Sequence, residues 1–427
     1  MKSSGGYPAF RWFLLATVTF GYVTCGMLII LFAPVLGEVA GSLGLDVGQA
    51  TLAAMATYYF SSAVSVLVSG PLIDRFGARV TIVTGGVLLV AGCLLVPVLG
   101  KTVAGLVLTR VVMGLGSGPI SACVPAVAAR WFPPQERGIF SGAQGSGMAL
   151  GVALGFGAMP PVVQANGGDW RAAVAWLAVV PAISLVLCVA TLFVKEPTVS
   201  APSAEEAGGA GDFGRALREP AFWVGVLGMF AFVWIMNAFN QQTPGYLAVP
   251  APLGLGLGAM AAGQKMIAVQ IGMILGAIGS GIFLDKVLKG NARPLLVAGF
   301  LLSAVFMSAV RLPFVHDSAA LLGVTLFLCG FFESFTIPAL SVFISLHYPQ
   351  SIMGKVFAVS FGVSLFAGAI GVGLGGAILH ATESYHLPIL LVGVVAVLGA
   401  VACTFLKAPK AFGARVAPET GSGRATA

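Results

Sequence analysis

Twelve times along this chain a run of about 20 or more mostly apolar residues recurs, the length a helix needs to cross a hydrocarbon core. The runs lie at roughly 12–36, 50–73, 80–99, 103–127, 139–164, 170–194, 221–247, 259–284, 294–314, 319–345, 355–380 and 388–407. Lipid offers the backbone no hydrogen-bond partner, so each run is expected to be a helix. Composition agrees: 58% of the residues are hydrophobic and 9% charged, against about 25% charged in a soluble domain. The 58 glycines suit helices that pack closely in lipid. These features predict an all-α membrane protein and exclude a soluble enzyme with a large core. The first run has no A-x-A-like cleavage site after it, so it is read as a spanning helix and not a removed signal peptide.

Basic residues mark the cytoplasmic side of such a bundle. Of the 22 lysines and arginines, Lys101, Arg171 and Arg311 fall on one side and Arg110 and Lys265 inside runs. The other 17 share the side of both chain ends. Both termini are therefore expected in the cytoplasm, the protein being multi-pass in the plasma (inner) membrane. The net charge of +7 is then a topology signal. Its basic residues are dispersed over loops and form no stripe for nucleic acid.

The longest polar stretch, from Lys195 to Pro220, includes Ser203-Ala-Glu205-Glu206-Ala-Gly208-Gly209-Ala-Gly211, the composition of a flexible linker. It separates six runs from six. A shift of 216 residues sets Gly114 on Gly330, Pro133 on Pro349, Gly138 on Gly354 and Gly155 on Gly371. Trp131-Phe132-Pro133 then meets His347-Tyr348-Pro349, an aromatic-Pro-x4-Gly frame at the same point of each half. Twelve transmembrane helices in two pseudo-symmetric six-helix bundles are expected, spanning 1–194 and 221–410. A cytoplasmic linker at 195–220 joins them and a tail follows at 411–427. Two such bundles suit a carrier in which one rocks against the other around a midplane site.

Between the second and third runs lies Gly70-Pro-Leu-Ile-Asp74-Arg75-Phe-Gly77-Ala-Arg79, a tight charged turn. It resembles the G-x-L-x-D-R-x-G-x-R signature of the major facilitator superfamily, with Pro71 in a free position. Gly70 and Gly77 permit close approach or positive φ, and Pro71 is expected to perturb the last turns of its helix. A weaker copy, Gly281-Ile-Phe-Leu-Asp285-Lys286, occupies the equivalent turn of the second half. Arg110-Val-Val-Met-Gly114-Leu-Gly116-Ser-Gly118 is similar to the superfamily's fourth-helix pattern. Arg130-Trp-Phe-Pro-Pro-Gln-Glu-Arg-Gly138 and Asp169-Trp-Arg-Ala172 resemble loops of its anion:cation symporter, monocarboxylate and oxalate/formate branches. The resemblance covers nearly the whole chain and implies a non-enzymatic carrier whose cavity is lined by helices one, four, seven and ten. It further implies that Asp74 locks the cytoplasmic ends of the halves when the carrier opens outward. The N-terminus of the eleventh helix, with Lys355 and Arg137 nearby, is the expected partner. Two departures stand out. The fifth helix lacks the Gly-Pro core of proton-driven drug exporters, and Ile274–Ser280 lacks the arginine of monocarboxylate and oxalate carriers.

Ionisable residues inside spans are costly and usually face such a cavity. Glu333 is the one acid within a run, so it is the candidate proton-coupling group; a carboxyl hydrogen-bonded across helices is the structural alternative. Arg110 can grip a carboxylate bidentately, or serve conformation alone, and could pair with Glu333 across the cavity. Lys265 either attracts anions or snorkels to the interface. Asn237, Asn240, Gln241 and Gln242 crowd the end of the seventh run, sharing faces by i, i+3 and i, i+4 spacing. They either line a polar site, with Pro244-Gly245 breaking the helix, or lie beyond the apolar core. Tyr22 is a lesser substrate-binding candidate.

The six cysteines are scattered through apolar runs without metal spacing. No Walker motif, catalytic Ser/His/Asp order or metal cluster stands out, so no cofactor, metal or catalytic residue is expected. The resulting expectation is a monomeric secondary transporter, moving a small organic anion, a carboxylate above all, with protons across the bilayer. The alternative is proton-coupled export of a neutral or cationic molecule, with Glu333 as the cation-binding acid.

Overall fold

The computed structural model describes residues 9–133, 136–194 and 210–412. Twelve helical spans, each long and apolar enough to cross a membrane, carry the fold. Spans one to six are Arg11–Leu43, Val47–Phe76, Ala78–Leu99, Val103–Ala128, Gly142–Ala165 and Trp170–Phe193. Spans seven to twelve are Pro220–Ala248, Gly258–Leu284, Ala292–Ala309, Ala319–His347, Ile352–Thr382 and His386–Thr404. The same pairings recur in both halves. Span one packs on five as seven packs on eleven, two on four as eight on ten, and three on six as nine on twelve. Twelve crossings leave both ends of the bundle on one face, here called the termini face; the other is the far face.

Four spans are not regular helices; one of them, span six, passes a turn at Ala178 between Trp170–Leu177 and Val179–Ala190 and ends in a 3-10 turn at Thr191–Phe193. Span one ends its first helix at Ile30, passes a 3-10 turn at Ala33–Val35 and resumes at Leu36–Leu43. Span two begins at Val47, where the Asp46 carboxylate accepts the Gln49 N–H at 3.0 Å, and widens to a π-helical turn at Leu52–Ala56. Span ten breaks between Glu333 and Thr336, where Pro338 has no N–H to offer the preceding turn. Two prolines do not act as the sequence suggested. The helices continue through Pro71 to Phe76 and through Pro244 to Ala248. The 195–209 part of the linker lies outside the described residues. Its end departs from a flexible chain, since Ala210–Arg218 is a short helix against spans seven and eleven. The tail's first residues close a 3-10 turn at Lys410–Phe412, with Phe412 buried on Tyr348; residues 413–427 lie outside the described part.

The halves meet through span eleven on two, eight on five, and seven on the interrupted end of one. On the far face this contact is backbone on backbone. A Cβ on Gly48 would collide with the backbone of His380 and Gly376, and one on Gly263 with the Phe156 carbonyl. Toward the termini face, Gly70, Gly142, Gly281, Gly354 and Gly362 have nothing within 4 Å of where a Cβ would stand. The contacts between the halves thus gather toward the far face, around the interrupted end of span one, the start of span two and the end of span eleven. At the termini face, Asp74 and Lys355 are both exposed. Gly77 ends span two at φ 82°, a conformation that favours glycine. Arg79 donates to the Thr191 and Val194 carbonyls at the end of span six. The Asp285 and Arg137 side chains lie outside what is described.

The Gly48 contact sets a test. Adding a methyl to so tight a site costs about 1–3 kcal/mol, so Gly48→Ala should disfavour this state by about fivefold or more. With the six native cysteines replaced, labelling of Gly362→Cys by a thiol reagent is expected to fall by that factor. Unchanged labelling would show that far-face packing does not hold the termini face open.

Candidate functional site

The site grows from the interruption of span one. Pro34 cannot continue the hydrogen-bond ladder, and a helix end leaves its last carbonyls without intrahelical donors. Two successive carbonyls of this end are answered by side chains from elsewhere. Arg110 of span four donates from Nη1 to the Leu28 carbonyl at 2.9 Å. Gln241 of span seven, in the other half, donates from Nε2 to the Ile29 carbonyl at 2.8 Å. Arg110 also donates from Nε to the Ala54 carbonyl, inside the π-helical turn of span two. Wide turns of this kind recur at functional sites. The guanidinium lies over the rings of Tyr58 and Phe32, at 4.5 and 4.9 Å. It is fully buried, and its Nη2 has no partner.

Gln241 reaches further. The same Nε2 donates to the Tyr59 hydroxyl at 3.0 Å, so span seven is tied to spans one and two across the halves. Its Oε1 is buried without a partner. Asn237 stands one turn earlier on that face, bonded to the Val233 carbonyl at 2.7 Å and pressed against Gly368 of span eleven. Asn240 turns aside, its Oδ1 accepting from Gln270 of span eight at 2.8 Å. All four amides of span seven are buried within the protein. Trp234 was not foreseen. It shares the i, i+3, i+7 face of Asn237 and Gln241, packs on Gly371, and buries an Nε1 without a partner. That spacing was visible in the sequence.

Other candidates are placed apart from this cluster. Tyr22 donates to the Ser121 carbonyl at 3.4 Å, joining spans one and four within the first half. Lys265 sits near the far-face end of span eight with Nζ 3.3 Å from the Ala319 carbonyl. Glu333 is buried at the break of span ten, and neither carboxylate oxygen has a hydrogen-bond partner. The expected pairing of Arg110 with Glu333 is not made. Each is enclosed within its own half, and carbonyls and rings of spans one and two already surround the arginine.

The loop motifs have structural work. Asp169 caps span six, Trp170 is buried edge-on to Phe32, and Arg171 donates to the Gly100 carbonyl at 2.8 Å. Glu136 accepts from Arg11 at 3.1 Å, a link at the termini face that spacing alone did not reveal. Nor did it reveal the approach of His380 to Asp46 across the far face. Among the described residues no group of side chains suits a metal ion.

Two six-helix halves that meet at a buried polar junction are the architecture of a known family of membrane transporters. The chain belongs to the Major Facilitator Superfamily, whose model matches residues 18–307 and 255–426. Similar proteins include a hexuronate transporter of Bacillus subtilis, 28% identical over 348 residues, 77% of this chain and 79% of the relative. A probable anion transporter of Oryza sativa is 26% identical over 359 residues, 78% of this chain and 80% of the relative. A probable L-galactonate transporter of Escherichia coli is 25% identical over 424 residues, 90% of this chain and 89% of the relative. Among solved structures, a D-xylose-proton symporter superposes with a TM-score of 0.74 at 17% identity, covering 94% of this chain and 99% of that one.

Arg110→Lys tests the junction. It keeps a charge but loses the fork, leaving carbonyls of Leu28 or Ala54 unpaired at about 1–3 kcal/mol each. A lower unfolding temperature and impaired transport are expected. Wild-type values of both in Arg110→Ala would remove this residue from the site.

Proposed function

We propose that this chain is a proton-coupled secondary transporter of a small organic anion, a carboxylate, working by alternating access. The observation that carries the reading is the convergence of Arg110 and Gln241 on successive carbonyls of an interrupted span. Substrate sites of such carriers form where helices are discontinuous near the midplane. Arg110 Nη2 and Trp234 Nε1 are donors without partners, and Gln241 Oε1 an acceptor without one. A carboxylate carrying hydroxyl groups would satisfy both kinds. Names of the relatives — anion, hexuronate and L-galactonate transporters — support the same class. Asn237 and Tyr59 complete the proposed binding group, Asn240 joins it to span eight through Gln270, Tyr22 stands apart from it, and Lys265 acts as an anion-attracting position at the entrance. The basic-residue distribution supports both termini in the cytoplasm, the internal repeat and the polar stretch between the halves support residues 1–194 and 221–410 as the moving units, and the plasma membrane is the proposed location.

Glu333 is the proposed proton-coupling group. An ionised carboxylate without donors in an apolar interior is costly, so movement around the break of span ten is needed to exchange its proton. Reconstituted vesicles offered carboxylates, amino acids and cationic drugs, with and without a pH gradient, test the function. Carboxylate accumulation driven by the gradient is expected; transport of the cations alone would overturn the anion reading. Glu333→Gln should abolish accumulation while counterflow exchange persists. Wild-type accumulation in that variant would exclude Glu333 as the coupling group.

A further inference from the structure

At the far face one pair of side chains crosses directly between the halves. His380 Nδ1, in the last turn of span eleven, lies 2.8 Å from Asp46 Oδ2, at the start of span two. The other Asp46 oxygen is occupied as the helix cap, accepting the Gln49 N–H. Directly beneath, Gly48 is packed on the backbone of His380 and Gly376, and Thr51 on Gly376. The pair can therefore form only while the halves touch. When they separate, Asp46 keeps its cap and His380 loses its partner.

We propose that Asp46 and His380 form a proton-operated latch on the far face, shut by protonation of His380 and loosened by its deprotonation. Histidine is the side chain whose charge ordinarily changes between about pH 5 and 8, while aspartate is ionised throughout that range. The ion pair exists only with the imidazole charged, so its contribution to the closed face is full at the acid end and lost as pH rises. The other titratable and charged groups at this face are Glu38 at the end of span one, Lys101, Asp169 and Arg171 in the loops of the first half, Lys265 at the head of span eight, Arg311, His316 and Asp317 between spans nine and ten, Glu383 after span eleven, and Tyr246, Tyr385 and His386 at the ends of spans seven and twelve. His386 lies edge-on to Tyr246 and gives its carbonyl to Arg311. Among the described residues none of these forms an ion pair with His380 or Asp46. The latch faces outside in the orientation proposed above, and it makes external acid slow the outward opening of the carrier. It rests on the rocking of the halves and not on the identity of the substrate.

Both side chains are partly exposed, at 50% and 39%, so a two- to fivefold effect, roughly, is expected. Thr51→Cys, buried beneath the pair, reports the opening in purified full-length protein in lipid nanodiscs, with the six native cysteines replaced. The quantity read is the maleimide labelling rate with His380→Gln divided by the rate without it, which cancels the pH dependence of the thiolate. It should be about two to five at about pH 5.5 and about one at about pH 8.5. Asp46→Asn, which retains a capping oxygen, should give the same ratios. An equal ratio at both pH values overturns the latch and leaves the rocking intact. No labelling in any background, Gly48→Ala included, overturns the rocking at this face and the latch with it.

Discussion

A helix end buried in a membrane must find donors for its carbonyls, and the interruption of span one at Pro34 creates that need at the centre of this protein. Unpaired, each buried carbonyl would cost about 1–3 kcal/mol. Neither donor comes from span one. Arg110 belongs to the same half and is fixed by three further contacts, with Ala54, Tyr58 and Phe32. Gln241 belongs to the other half and is fixed by Tyr59. One local break thus joins the interior of the first half to the junction between the halves. The widened turn of span two serves the same end, because it presents the Ala54 carbonyl to the arginine that the break requires.

The two halves repeat a backbone plan but not its chemistry. At the 216-residue shift, Glu333 falls on Ser117, whose hydroxyl donates to Ser62 at 2.7 Å. Arg110 falls on Leu326, which is fully buried. Each of these two ionisable groups therefore lies where its counterpart in the other half is neutral. Span ten breaks beside its acid, whereas span four runs unbroken past its arginine. On the roles proposed above, the anion-binding charge and the proton-carrying one lie in different halves, joined by the contacts that spans seven, eight and eleven make with the first half.

Much of this was legible in the sequence because a bilayer constrains length, polarity and backbone pairing at once. Twelve spans, two halves and the turn ending at Gly77 follow from apolar run length, the repeat and one glycine. The amides of span seven were recognised from spacing, though not their burial, since proline and glycine nearby suggested a helix end. What spacing could not show was partnership across hundreds of residues. Arg110 could equally have faced Glu333 or its own half, and only packing decides. The Asp46–His380 approach depends on two glycines meeting backbone to backbone, a relation between residues 328 positions apart, Gly48 and Gly376. The π-helical turn leaves no mark in composition at all.

The junction also constrains how the carrier can turn over. Opening the far face must draw span eleven from two and span seven from the end of span one, which separates Gln241 from the Ile29 carbonyl and the Tyr59 hydroxyl. Arg110 need not move, because its partners all lie within the first half. On the function proposed above, opening of the far face would leave the span-one end its cation but take away one donor, which water or substrate would then supply. A ligand with both a carboxylate and a hydroxyl meets that demand better than either group alone, the first held by the arginine and the second donating to the vacated carbonyl. On the same proposal, closure would return Gln241 to the Ile29 carbonyl and leave Gln241 Oε1 and Trp234 Nε1 for the ligand's hydroxyl. Binding energy is thus realised partly on closure, and a ligand shifts a conformational equilibrium only through such differential contacts.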